Sequence, residues 1–219
     1  MNLEELRTHH LFFDPLPYGK IFCFVDFGNV RPWAKDIWPA ENKFRISVEV
    51  DIQKLAEVCN WVSPKKKFFY YGHFKQPDPL RPKNEPQERK YKSSIYRIDR
   101  ATKSGFEVVT KDIKMVPHYD DAGKFIGYFP KCNFDVEMTM TMMKKIEKYD
   151  TIMLFTGDSD FGGLLSYLKQ KGKKVIIVCT RRCMSTELNA VADKYIPAES
   201  LGEYLKFTPT YIPPENPSI

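Results

Sequence analysis

The chain has 219 residues, of which 42% are hydrophobic, 28% charged and 14% aromatic, a balance that supports one full-sized core and excludes disorder as a description of the whole chain. Its formal net charge is +6, yet residues 64–103 hold twelve Lys or Arg against four Asp or Glu, so the remainder is slightly acidic. No run approaches the roughly 18–20 apolar residues of a membrane span. The opening MNLEELRTHHLFFD also lacks the basic-then-apolar order of a signal peptide, so a soluble, cytoplasmic protein with no membrane partner is expected.

In chain order, residues 1–19 are expected as an N-terminal extension. Residues 20–26 (KIFCFVD) form an apolar run that does not alternate, the pattern of a strand covered on both faces. Helical spacing follows over 50–61, then a second strand over 67–71 (KFFYY). Residues 77–86 carry Pro77, Pro79, Pro82 and Pro86 and predict a loop. A helix over 88–103 and a strand over 106–109 come next. Residues 111–131 read as a β-hairpin insert, with apolar positions on either side of the turn Asp120-Asp121-Ala122-Gly123. The rhythm then resumes: helix 134–148, strand 151–156 (TIMLFT), helix 161–171, strand 174–179 (KVIIVC) and helix 185–193. Strand alternating with helix predicts a three-layer α/β domain over residues 20–200 with a mostly parallel central sheet. Residues 201–219, with four prolines after 207, are expected as a C-terminal tail. Five cysteines without a CxxC pair read as reduced thiols, those at Cys23 and Cys179 buried in strands.

Chemistry in such a sheet collects beyond the carboxyl ends of the strands. Asp26 ends the first strand, while Asp158 and Asp160 follow the strand at 151–156. Asp135 opens the helix after the hairpin, on the same stripe as Met138, Met142 and Ile146, so its carboxylate is expected to face the sheet. Two carboxylates about 4 Å apart repel by roughly 4 kcal/mol at an effective dielectric near 20. Four converging carboxylates therefore call for a cation, and an all-oxygen donor set suits Mg²⁺ or Mn²⁺ better than zinc. Helix starts offer a plainer reason for two of them, an N-cap for Asp160 and a favourable helix terminus for Asp135. Asp26 and Asp158 are expected to have no such local role.

The segments Val25-Asp26-Phe27-Gly28-Asn29, Asp135-Val136-Glu137, Gly157-Asp158-Ser159-Asp160-Phe161 and 185–196 (STELNAVADKYI) together resemble a NYN domain of the LabA-like group, within the PIN-like nuclease superfamily. The resemblance spans residues 20–196. It implies a PIN-like, Rossmann-like fold and a divalent-metal-dependent endoribonuclease acting on RNA, expected to be single-stranded. Asp26, Asp135, Asp158 and Asp160 would be its catalytic and metal-site carboxylates, and Asn29 a polar partner that positions phosphate or water. Two positions depart from the family's pattern: Lys131-Cys132-Asn133-Phe134-Asp135 lacks a glycine, and Thr141 stands where many relatives carry another acid that would serve a second metal.

Further basic residues are candidates for substrate contact: Arg31 and Lys35 behind the first strand, Lys131 before the helix at 134–148, Arg181 and Arg182 after the strand at 174–179, and Lys90 and Lys92 in the basic segment. That segment also carries Tyr70, Tyr71, Phe74, Tyr91 and Tyr96, which suits a polyanion with stackable bases as well as it suits a solvated helix face. Glu137 is expected to face solvent and Ser185 to cap a helix. The four histidines have no ligand spacing. A non-cleaving RNA or nucleotide binding module on the same fold is the alternative function, and a homodimer is an assembly the sequence leaves open. An aspartyl-phosphate phosphatase is disfavoured because Gly28 stands where its second Asp belongs.

Overall fold

The computed structural model describes residues 5–10, 13–39, 48–62, 64–78, 80 and 85–207. Residues 208–219 of the expected tail and half of the proline segment, 79 and 81–84, lie outside those residues. Strand β1 (Ile21–Asp26) leads into two short helical turns, α1 (Phe27–Val30) and α2 (Trp33–Ile37), then β2 (Glu49–Val50) and α3 (Ile52–Asn60). Next come β3 (Lys66–His73), α4 (Glu85–Lys103), β4 (Glu107–Asp112), the hairpin strands β5 (Lys114–Tyr119) and β6 (Phe125–Lys131), and α5 (Asp135–Lys144). The last stretch holds β7 (Thr151–Phe155), α6 (Gly162–Gln170), β8 (Lys174–Cys179), α7 (Thr186–Val191), β9 (Lys194–Pro197), α8 (Gly202–Leu205) and β10 (Lys206–Phe207).

Six strands form one sheet in the order β4-β3-β1-β7-β8-β9, and every neighbouring pair is parallel. Counted by sequence within the sheet this is 3-2-1-4-5-6, the doubly wound arrangement in which the chain runs outward from β1 and then crosses back to β7. Right-handed crossovers place α3 and α4 on one face and α5, α6 and α7 on the other, which gives the expected three layers. All six residues of β1 and all five of β7 are buried, as their uninterrupted apolar runs require. Cys23 and Cys179 are buried free thiols. On the sheet, Phe24 stacks on Phe68 with ring centroids 5.0 Å apart, and Phe27 packs on Phe69 at 4.8 Å.

The structure corrects several boundaries. Pro86 belongs to the first turn of α4, where its missing N–H costs no helical bond. Residues 201–207, expected as tail, continue the fold: Leu201 and Leu205 are buried and β10 pairs with β2. The N-terminal extension likewise contributes Leu6 and Phe13 to the core. The hairpin forms as predicted and stands apart from the main sheet as its own two-stranded ribbon.

Candidate active site at the switch point of the sheet

The direction of winding reverses between β1 and β7, so their carboxyl ends splay and open a crevice there. Asp26 closes β1 and is only 5% exposed. Its Oδ1 accepts from the backbone N–H groups of Gly28 (3.1 Å) and Asn29 (3.4 Å), and its Oδ2 accepts from Asn29 Nδ2 at 2.7 Å. The same Asn29 amide donates to Thr156 Oγ1 at 3.0 Å, and that hydroxyl also accepts from the N–H of Asp158 at 3.3 Å. Asn29 and the buried Thr156 thus tie the end of β1 to the end of β7. Burial pushes the Asp26 carboxyl up to about 6; its hydrogen bonds to Asn29 and Gly28 oppose that rise, and the nearby Asp135 adds to it.

Asp135 begins α5, whose inner stripe buries Met138 and Met142 as the spacing predicts. Its Oδ2 accepts from Asn133 Nδ2 at 2.8 Å, whereas its Oδ1 is buried with no hydrogen-bond partner. Burial raises its pKa, Asp158 and Asp160 raise it further, and Lys111 pulls the other way. Asp158 caps the single turn Ser159–Phe161 by accepting from the N–H of Asp160 at 3.1 Å. Asp160 itself is exposed.

Two expectations are therefore corrected. Asp26 and Asp158 do have local roles, since each caps a short helical turn, and it is Asp158 that caps the turn leading into α6, not Asp160. Asp135 lies within electrostatic reach of each of the other three aspartates, but among the described residues no group of three or more His, Cys, Asp or Glu side chains is drawn together closely enough to hold a metal ion. The donor chemistry still fits a hard divalent cation: carboxylate oxygens only, one of them buried and unpartnered on Asp135.

Two glycines make this geometry accessible. A Cβ at Gly157 would sit 2.5 Å from the Cβ and 2.6 Å from the carbonyl oxygen of Cys183, so only glycine lets the chain carry Asp158 past the loop after β8. A Cβ at Gly72 would stand 2.7 Å from Cys132 Sγ, and the absent side chain lets the segment leading to Asp135 lie against β3.

Beside the acidic residues is an open cleft of about 460 Å³ lined by Gly28, Arg31, Lys35, Tyr71, Phe74 and Phe134, with Ile113, Pro130 and Cys132 of the hairpin as its far wall. Arg31 and Lys35 have no acidic partner among the described residues and supply positive charge to it. Lys90 sits over the Phe74 ring, 5.7 Å from its centroid, at the same cleft. Lys131 ends β6 next to Pro130. The other basic candidates are not gathered here: Lys92 faces Glu88 one turn back at 3.9 Å, and Arg182 is paired with Asp36 at 2.8 Å. Arg181 stays in the turn after β8, its backbone N–H bonded to Glu199.

The basic segment does not form one surface. Lys66 pairs with Phe22, four residues before Asp26 on β1, which puts residues 65–67 about 13 Å away at the amino edge of the sheet. There Lys66 is paired with Glu107, and Lys67 bonds to Asn60 Oδ1 at 3.0 Å. Tyr70 and Tyr71 are buried. Sequence reading missed Thr156, whose signal is a hydroxyl ending an apolar strand. It also missed Lys111, which bonds to Glu137 at 2.6 Å and lies 4.6 Å over the Phe134 ring, so Glu137 is ion-paired and half-buried, not free in solvent. Thr141 donates to the carbonyl of Glu137 at 2.8 Å. Ser185 caps α7 as expected, accepting from the N–H of Leu188 at 3.2 Å.

Residues 20–201 match the family described as the NYN domain. Over 104 residues the chain is 31% identical to the low amplitude and bright protein LabA of Synechococcus elongatus, a match that takes in 48% of this chain and 54% of that protein. The chain thus spans about half the length of that curated relative. A crystal structure of a protein of unknown function from Vibrio parahaemolyticus superposes with a TM-score of 0.52 at 21% identity, covering 82% of this chain and 93% of that one, a likeness of fold.

Proposed function

The chain belongs to the NYN domain family, and from that premise we propose that it is a divalent-metal-dependent endoribonuclease that hydrolyses RNA phosphodiester bonds at the carboxyl ends of β1 and β7. The observation that carries this reading is the unpartnered buried Oδ1 of Asp135 within electrostatic reach of Asp26 and Asp158, a charge arrangement that stability alone does not favour. Asp26, Asp135 and Asp158 would hold Mg²⁺ or Mn²⁺, with Asp160 at the exposed rim. When bound, such a cation orients a phosphate and makes water a competent nucleophile at neutral pH. The Asn29 amide holds the Asp26 carboxylate in one orientation. Arg31 and Lys35 bind the phosphates that flank the scissile one, and Phe134 and Tyr71 give the cleft an apolar floor.

The non-cleaving binding module stays as a second reading because Asp26 and Asp158 are already occupied as turn caps and Thr141 replaces a further acid. Thermal melts separate the two without relying on turnover. A ligand that binds only the native state stabilises it by mass action. Mn²⁺ should therefore raise the melting temperature of the wild type, and Asp158→Asn should lose most of that rise while binding RNA in chelator as the wild type does. An Asp158→Asn variant that melts like wild type at every Mn²⁺ concentration leaves the binding module.

A further inference from the structure

Among the described residues, half of the exposed large apolar side chains lie on the ribbon β5–β6. All six residues of β5 are exposed, so this apolar surface is not spent on the core. Its register sorts the side chains. Met115 faces Pro130, Pro117 faces Tyr128 and Tyr119 faces Phe125, and directly opposed residues share one side of a ribbon. A register shift between His118 and Tyr119 brings Phe125 onto that side, its ring 5.8 Å from Tyr119 and 5.3 Å from Tyr128, both edge-on. The same side continues through Pro130 and Cys132 into the far wall of the cleft. The opposite side carries Lys114, Lys131, Val116 and Phe129.

The geometry points to this side of the ribbon as a stacking platform for single-stranded RNA, which leaves the acidic centre through the cleft and lays successive bases on Tyr128, Phe125 and Tyr119. The proposal rests on the ribonuclease reading and adds the surface along which the substrate strand runs. Two observations favour RNA over a second copy of the chain as occupant. The aromatic side is continuous with the cleft that ends at the acidic residues. Cations without an acidic partner among the described residues stand at the two ends of the path, Arg31 and Lys35 in the cleft and Lys124 at the tip of the ribbon. Asp120, the acid nearest to Lys124, is engaged in its own turn, accepting from the N–H groups of Ala122 (3.0 Å) and Lys124 (2.8 Å). Stacking on exposed rings demands unpaired bases, and so excludes duplex.

The test is fluorescence anisotropy in chelator, which prevents cleavage, with labelled oligouridylates of 4 and 12 nucleotides and a 12-base-pair RNA duplex. The triple variant Tyr119→Ala, Phe125→Ala, Tyr128→Ala should bind the 12-mer about tenfold or more weakly. It should bind the 4-mer as wild type does and keep the salt dependence, because no cation is removed. Phe129→Ala, on the other side, should bind like wild type, and Tyr128→Trp should retain affinity. If the triple variant binds the 12-mer as tightly as a wild type that does bind it, the platform is refuted. If light scattering shows that the triple variant turns a wild-type dimer into a monomer, the side is a self-association surface and the proposal is likewise refuted. Wild type that binds no RNA of any form overturns both the platform and the ribonuclease reading, whereas wild type that binds the 12-mer through these rings but never cleaves it overturns only the latter.

Discussion

Asp26 carries two opposed demands: its position on a buried strand disfavours charge, and its caps and its Asn29 partner favour it. Burial prevails, raising the carboxyl from an ordinary 3.8 to about 6. Between those values the folded protein holds a proton that the unfolded chain has released, so stability falls as pH rises through this window. In chelator, Asp26→Asn should therefore gain up to about 3 kcal/mol at pH 7, and the gain should fade as pH falls to about 4. Urea melts at pH 4, 5.5 and 7 measure it; an equal gain at all three would remove burial of charge as the cause. The placement of Asp26 and Asp135 at the candidate site was legible because one ends an apolar run and the other shares a stripe with Met138 and Met142. The capping roles of Asp26 and Asp158 were not, because a cap depends on where the next turn begins, and Phe27–Val30 and Ser159–Phe161 are too short to leave a periodic pattern.

Elements with one chemical character along their length were the ones sequence reading located. Strands β1, β7 and β8 are continuous apolar runs, and the structure starts and ends each within one residue of the expected position. The sixth strand, β9, was missed because among its four residues only Ile196 is buried, and β2 and β10 are two residues each, too short for any pattern. The hairpin was found from its turn residues, but its alternation gave no hint that both sides would stay exposed. That exposure has a consequence for stability. Lys114 and Lys131 face each other across the ribbon, so two glycines can replace residues 115–130 without stretching the chain. This deletion should shift the thermal midpoint by only a few degrees, since it removes exposed side chains and leaves the six-stranded sheet intact. A protein that no longer folds after the deletion would mean that the ribbon does bury surface of structural weight.

For the whole molecule, the winding order explains why the candidate site residues gather at one edge of the sheet. The reversal between β1 and β7 opens a crevice where Asp26, Asn29, Thr156 and Asp158 meet, α5 brings Asp135 to it, and the hairpin walls the cleft beside it. The alternation of strand and helix made the layers legible; the distribution of charge was not, because sequence proximity in the basic segment conceals that residues 65–67 lie at the amino edge of the sheet and Lys90, on α4, beside the cleft. Cleavage of a labelled single-stranded RNA, followed in Mn²⁺ and in chelator for wild type and Asp135→Asn, tests the central claim most directly. Endonucleolytic products should form with wild type in Mn²⁺, vanish in chelator, and fall by orders of magnitude in the variant, whose altered side chain carries the unpartnered oxygen. Cleavage that persists in chelator, or that Asp135→Asn performs at the wild-type rate, would contradict it.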